Sequence, residues 1–217
     1  MNFWLITILN LYILVPAVTG LARFSKINKV YHPFIYCIWL GSLIEIVSNV
    51  FVLNGYSNAV VSNIYVLAES LLLAWQFRNW KSFEKGKILF PVIIAIFSIS
   101  WVLENFVFSK IIYFSSYFRI VYSFIIVMLS IIIINRQIVT ERKSLLKNPV
   151  FLICIAFVFY YTLKVMVEAF WVYGINDKSF GTKIYYISIV TNFIANLLYT
   201  VAIVWIPTKL RFTLPSS

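Results

Sequence analysis

Long apolar runs separated by short polar breaks recur along the whole chain. An α-helix crosses the hydrocarbon core of a bilayer in about 20 residues. Seven runs of about that length are present, and we predict that each forms a transmembrane helix: 3–22, 33–53, 59–77, 88–108, 114–134, 149–173 and 184–206. The runs are continuous rather than alternating, which favours helices over the strands of a membrane barrel.

The breaks between the runs are too short to form a separate soluble domain. We therefore predict a single domain, residues 1–217, folded as an all-α integral membrane protein with a seven-helix transmembrane bundle. The composition agrees, with 62% hydrophobic and 12% charged residues. Soluble domains are about 45–50% apolar and about 25% charged.

Lysine and arginine are concentrated in alternate breaks. The breaks after the first, third and fifth runs and the C-terminal tail contain 13 of them, and the other breaks contain only Lys110, Lys178 and Lys183. The positive-inside rule then predicts an outside N-terminus and a cytoplasmic C-terminus. Basic loops that contact anionic lipid account for the net charge of +11, and we expect no nucleic-acid partner. Abundant Ile, Phe, Tyr, Asn and Lys is typical of AT-rich bacterial genomes, so we expect a bacterial plasma (inner) membrane location.

Six ionisable side chains lie inside the apolar runs: Glu45, Glu69, Glu104, Arg119, Lys164 and Glu168. A charge near the bilayer centre costs roughly 2.5–3.5 kcal/mol on insertion scales, unless it pairs, protonates or lines a wet cavity. We therefore predict a buried charged cavity that opens to the outer side. The alternative is a structural interpretation, in which these groups form hydrogen bonds between helices.

Depth along each run suggests a role for each polar residue. At about 1.5 Å per residue, Glu45 and Glu69 fall near the midplane, whereas the other four ionisable groups fall in the outer half. Lys164 and Glu168 are also four residues apart, on one helix face. We predict that Arg119 and Lys164 hold an anionic group, and that Glu104 and Glu168 orient them or contact the solute. The full predicted ligand-binding set is Glu104, Arg119, Lys164, Glu168, Asn192, Asn196 and Tyr161.

Four glutamates and two cations leave two carboxylates without a partner of opposite charge. Removal from water favours the neutral form of a carboxyl group. We predict that at least one of Glu45 and Glu69 is protonated near neutral pH, and that this pair provides proton coupling.

The leading functional hypothesis is binding of a small polar or ionic solute, extended to proton-coupled translocation. Two alternatives stay open: a receptor-like sensor or accessory subunit acting through a protein partner or a homo-oligomer, and an intramembrane lipid-modifying enzyme. The chain lacks the common hydrolase, metalloprotease and phosphate-loop motifs, so we predict no catalytic residue, no metal and no cofactor. A retinal protein is excluded because the last run has no lysine between Lys183 and Lys209.

Overall fold

The fold consists of helices joined by short connections. The structure, a computed structural model, describes residue 9 and residues 11–83, 86, 88–140, 145–173 and 178–207. We number the helices α1 (Leu14–Arg23), α2 (His32–Leu53), α3 (Ala59–Asn79), α4 (Leu89–Val102), α5 (Ser116–Thr140), α6 (Pro149–Val172) and α7 (Lys178–Trp205). A π-helical segment, Leu103–Phe108, continues α4. Short 3-10 turns, Lys29–Tyr31 and Leu145–Lys147, precede α2 and α6.

Six of these helices, α2 to α7, are long and apolar enough to cross a membrane. Their outward faces carry large exposed apolar side chains, which is typical of surfaces that contact lipid. An all-α fold of membrane-spanning type is thus confirmed for these six. Residues 3–8 and 10 of the first predicted run, 3–22, lie outside the described residues, and the helix described in this region, α1, has 10 residues. The seventh span and the orientation therefore stay predictions.

The helices form a ring that closes where α7 packs against α1. Neighbours in sequence pack against each other from α1 to α7, and α3 also packs against α5. The interfaces of α6 with α5 and with α7 are the most extensive. Side chains of α2, α3, α5, α6 and α7 consequently share one interior.

One end of the bundle, which we call the basic end, contains the breaks rich in lysine and arginine. Hydrogen bonds to the backbone tie its helix ends together. The buried Gln76 amide accepts from the Phe34 N–H at 2.9 Å and donates to the Val30 carbonyl at 2.9 Å. Arg136 donates to the Trp80 carbonyl at 2.9 Å. These contacts fix α3 against the start of α2 and the end of α5.

Aromatic side chains fill the interior near the basic end. Phe34 of α2, Phe77 of α3 and Phe157 of α6 are almost completely buried. The Phe157 ring lies 6.1 Å from the Phe34 ring, 6.0 Å from the Phe77 ring and 5.8 Å from the Tyr199 ring, measured between centroids. Edge and tilted contacts at these separations are the favoured aromatic geometries. The interior near the basic end is therefore mostly aromatic.

The other end, which we call the opposite end, is organised around Asn63 at the start of α3. Its amide nitrogen donates to the Ile111 carbonyl at 3.0 Å and to the Tyr113 carbonyl. Its amide oxygen accepts from the Ser115 N–H at 3.1 Å. One completely buried side chain thus holds the connection between α4 and α5 against α3, which places the first turn of α5 beside the interior.

Candidate functional site

Glu69, near the middle of α3, lies at the centre of the interior. Its carboxylate accepts hydrogen bonds from the hydroxyl groups of Tyr65 at 2.9 Å, Tyr122 at 2.6 Å and Tyr161 at 3.0 Å. The Lys164 ammonium lies 3.4 Å from the second carboxylate oxygen. Four donors satisfy an ionised carboxylate, which accepts only. Glu69 is therefore the hub at which α3, α5 and α6 meet.

Lys164 of α6 is held by tyrosines as well as by Glu69. Its ammonium nitrogen also donates to the Tyr122 hydroxyl. It lies 5.1 Å from the ring centroid of Tyr122 and 5.5 Å from those of Tyr160 and Tyr161. Cation–π contacts of this length stabilise an ammonium group that has left bulk water. Within the described residues its acceptors use two of its three N–H donors, so one remains for a ligand.

Arg119 and Glu168 form a second ion pair nearer the opposite end. The guanidinium lies 3.3 Å from the Glu168 carboxylate, and it also donates to the Ser62 hydroxyl at 2.7 Å. Glu168 accepts from the Ser116 hydroxyl at 2.7 Å. We call Glu69, Lys164, Arg119 and Glu168 the charged cluster. Together its two pairs link α3, α5 and α6, the three helices around Glu69.

A cavity of about 240 Å³ lies beside the charged cluster, and we call it the polar cavity. Water occupies about 30 Å³ per molecule in the liquid, so this volume corresponds to about eight waters. It is smaller than the roughly 300–1,000 Å³ of sites for drug-sized ligands. Its walls combine charged, hydroxyl and apolar groups: Ser62, Tyr65, Val66, Arg119, Tyr160, Leu163, Lys164, Val167, Glu168, Ser188 and Thr191.

A second, inner cavity of about 50 Å³ lies among α2, α3, α6 and α7, with Ile13 at its edge. Its lining is mostly aromatic and amide: Ile13, Phe34, Cys37, Ile38, Tyr65, Glu69, Phe157, Tyr160, Tyr161, Asn192, Asn196 and Tyr199. Tyr65 and Tyr160 line both cavities. These two tyrosines therefore form the wall between the polar cavity and the inner cavity.

Gly41 of α2 makes room for Tyr65 in this wall. A β-carbon at position 41 would lie 3.2 Å from the Tyr65 hydroxyl oxygen and 3.0 Å from a methyl group of Ile13. Both distances are shorter than ordinary van der Waals contact. The absence of a side chain at Gly41 thus allows the Tyr65 hydroxyl to reach Glu69.

The predicted binding residues are divided between these places. Arg119, Lys164 and Glu168 line the polar cavity, whereas Asn192, Asn196 and Tyr161 line the inner cavity. Lys164 and Glu168, expected to face each other along α6, instead pair across the bundle with Glu69 and Arg119. That these residues bind a solute stays a prediction.

Glu104 has a different position from the one that we expected. Its carboxylate accepts from the backbone N–H groups of Tyr117, at 3.0 Å, and Phe118, at 2.5 Å, in the first turn of α5. A carboxylate there satisfies free N–H groups and opposes the positive end of the helix dipole. Glu104 therefore caps α5. Among the described residues it makes no direct hydrogen bond to Arg119 or Lys164, so its role in orienting them stays a prediction.

Glu45 of α2 lies apart from the charged cluster. It is half-buried, and the Asn49 amide, one turn further along the helix, lies 3.5 Å from its carboxylate. Glu45 and Glu69, which we predicted to provide proton coupling, are therefore not in contact, because Glu69 is surrounded by tyrosines and Lys164. Coupling of either group to protons stays a prediction.

Four residues of the site were absent from the predicted binding set: Asn63, Tyr65, Tyr122 and Tyr160. In the sequence the three tyrosines resemble ordinary aromatic core residues, because only the hydroxyl group of a tyrosine distinguishes it from a phenylalanine. Tyr65 and Glu69 are four residues apart on α3, which was the available signal. Asn63 lies on the completely buried face of α3 with Val66 and Ser70, so its position gave no indication of a backbone partner.

Comparison with known protein families, with curated proteins and with solved structures finds no match for this chain. Function must therefore be inferred from the site itself. Among the described residues, no three His, Cys, Asp or Glu side chains converge in the manner of metal ligands. The arrangement is suited to binding a small molecule through charge and hydrogen bonds.

Proposed function

We propose that the protein binds a small polar or ionic solute in the polar cavity, between α3, α5, α6 and α7. The observation that carries this proposal is a cavity of about 240 Å³, inside a bundle of apolar helices, lined by Arg119, Lys164 and Glu168. Charged side chains in the membrane interior are costly, and they commonly mark substrate or ion pathways.

The chemistry of the lining supports recognition of an anionic group. Lys164 has an N–H that no described residue accepts, and Arg119 presents a guanidinium to the same cavity. Ser62, Ser188 and Thr191 also line the cavity. The Ser62 hydroxyl, which accepts from Arg119, keeps its O–H donor. The Thr191 hydroxyl, which donates to the Ile187 carbonyl, keeps its acceptor positions. A compact solute with one anionic group and further polar atoms suits this lining.

Thermal unfolding of the detergent-purified protein tests the proposal. The panel contains monocarboxylates, dicarboxylates, inorganic phosphate, amino acids and polyols. A ligand that binds the folded state alone stabilises it by about 2.7 kcal/mol at 100 times its Kd. We expect one solute class to raise the Tm with increasing concentration, and we expect Arg119→Gln and Lys164→Met to abolish the rise.

Ser100→Ala provides the matched control. Ser100 lies on α4 and donates to the Ile96 carbonyl of its own helix, away from the polar cavity. This variant should respond to the solute as the wild-type protein does. A Tm that no panel member changes, or a shift equally large in Lys164→Met, would contradict the proposal.

Translocation coupled to protons is the second part of the proposal. The polar cavity and the inner cavity lie on the two sides of the Tyr65 and Tyr160 wall, so their connection would create a path toward the basic end. Because Glu69 has four donors, we assign the exchangeable proton to Glu45. Infrared difference spectra at pH 6 should show a protonated carboxyl band that Glu45→Gln removes. Flux into proteoliposomes, driven by a pH gradient and lost in Glu45→Gln, would establish the coupling; absence of both signals would refute it.

A further inference from the structure

The charged cluster beside the polar cavity carries no net charge, because Glu69, which lines the inner cavity, balances the Lys164 ammonium, and this neutrality narrows the class of solute. The charged cluster contains two cations and two carboxylates, paired at 3.4 Å (Lys164 with Glu69) and 3.3 Å (Arg119 with Glu168). The inference that follows rests on the proposed function and names the solute that the same cavity takes.

Other carboxylates near the cavity do not alter this balance. Glu104 is not among the residues that line the polar cavity, and its charge is partly offset by the N-terminus of α5, where the helix dipole contributes about half a positive charge. Glu45 belongs to α2, whereas the described lining of the polar cavity comes from α3, α5, α6 and α7. The electrostatic environment of a solute is therefore set by the charged cluster.

A neutral cluster in a low-dielectric interior disfavours a solute with net charge. An added anion or cation would leave one charge uncompensated, and an uncompensated buried charge is costly. A zwitterion adds no net charge, so it escapes this penalty. It also gains two attractive contacts, which a neutral polar solute does not.

The cavity offers one place for each charge of a zwitterion. The Lys164 ammonium has the remaining N–H donor, and the Glu168 carboxylate lies four residues later on the same helix. Four residues of α-helix correspond to about 6 Å. Both residues line the polar cavity, so opposite charges face the same space about one helical turn apart.

The geometry points to a zwitterion of the amino-acid type as the solute, with its carboxylate at Lys164 and its ammonium group at Glu168. Nothing in this assignment requires a covalent step. It predicts that an amino acid binds more tightly than its analogues that lack one or both charges, whichever amino acid has the highest affinity.

Isothermal titration of the full-length, detergent-purified protein tests the order. Aliphatic amino acids ranging in size from glycine to leucine are each compared with three analogues: the deaminated acid, the decarboxylated amine and the corresponding neutral amide. For alanine these are propionate, ethylamine and propionamide. We expect at least one amino acid to bind at least tenfold more tightly than its three analogues. An acid, amine or amide that binds as tightly as the best amino acid would overturn the assignment.

Charge variants provide the second test. Glu168→Gln keeps an oxygen that can accept from Arg119 and Ser116 but gives the cluster a charge of +1, so the preference should move at least tenfold toward the acid. Lys164→Met gives a charge of −1 and removes the group that holds the carboxylate, so the amino acid should no longer bind whereas the decarboxylated amine should. Ser100→Ala should keep the wild-type order. Unchanged preferences in both charge variants would overturn the inference.

The outcomes also separate this inference from the proposed function. If inorganic phosphate or a dicarboxylate binds and no amino acid does, the solute class is wrong while binding in the polar cavity stands. If no panel member binds, both the inference and the proposed function fail.

Discussion

Both halves of the bundle hold helix ends through backbone contacts, but among the described residues only one half also contains buried ion pairs. Near the basic end, Gln76 and Arg136 bind backbone carbonyl or N–H groups, and aromatic rings fill the remaining space. Toward the opposite end, Lys164 and Arg119 bind carboxylates of other helices and leave a cavity of about 240 Å³.

This difference separates residues that hold the fold from residues available to a ligand. A backbone partner is always present, so a side chain that binds one gains nothing by exchanging it for a solute. A side chain that binds another side chain can exchange partners when either moves. The half with ion pairs and empty space is therefore the half in which binding chemistry is expected.

The largest effect should come from Lys164→Met. Removing one partner of a buried ion pair costs about 3–5 kcal/mol, because the other charge remains without a counter-ion. We expect a loss of about 4 kcal/mol in the free energy of unfolding, measured by denaturant titration in mixed micelles, together with loss of solute binding. The double variant Glu69→Gln/Lys164→Met should recover part of that stability, and a double variant less stable than either single one would contradict the pairing.

Phe77→Ala should damage the other half without affecting the binding residues of the polar cavity, because Phe77 is not among the residues that line either cavity. Removing a buried phenylalanine costs about 3–5 kcal/mol. The Phe77 ring contacts those of Phe157 and Trp80 in the basic-end core, and we expect a loss of about 3 kcal/mol. Solute affinity, measured by titration at a temperature where the variant is folded, should change less than threefold. A larger change in affinity would mean that the two halves are not independent.

Gln76→Ala should show how much the backbone contacts contribute. The substitution leaves the Phe34 N–H and the Val30 carbonyl without their partner, and an unsatisfied buried group costs about 1–3 kcal/mol. We expect a loss of about 2 kcal/mol with unchanged solute affinity. Amide hydrogen exchange at Phe34 should become faster, and unaltered protection there would argue against this role.

The smallest effect, and the most local one, should come from Gly41→Ala. Overpacking costs about 1–3 kcal/mol, and alanine regains about 1 kcal/mol of helix propensity, so the net loss should be about 1 kcal/mol. The new methyl group would require the Tyr65 hydroxyl, which donates to Glu69, to shift by a few tenths of an ångström. Ultraviolet resonance Raman spectra should report a changed tyrosine hydrogen bond, and Gly20→Ala, whose nearest contacts are 3.4 Å away, is the control.

Much of the fold was predictable from hydropathy alone, because each helix interior is apolar over its whole length. The predicted runs 59–77 and 149–173 correspond closely to Ala59–Asn79 and Pro149–Val172. The π-helical segment Leu103–Phe108 was not predicted. Its wider turn accompanies burial of two adjacent polar residues, Glu104 and Asn105, and only the connection to α5 explains that burial.

The charged residues of the candidate site could be predicted from the sequence, but the ion pairs that they form could not. The free-energy cost of placing a charge in the membrane identified four residues that need partners: Lys164, Arg119, Glu69 and Glu168. Which partner each finds depends on the packing order of the helices. A single sequence does not contain that order, so the local pair Lys164 with Glu168 was expected in place of contacts between α3, α5 and α6.

The pairing of Glu69 with Lys164 also has a consequence for how the protein is made. The two residues are 95 positions apart. At about 5–20 residues per second of synthesis, Glu69 is made roughly 5–20 s before its counter-ion. During that interval α3 carries a carboxyl group with no cation, so it must stay protonated or remain beside the insertion machinery. Formation of this ion pair therefore waits for α6, and a nascent chain that stops before Lys164 would leave the Glu69 carboxyl group without its counter-ion.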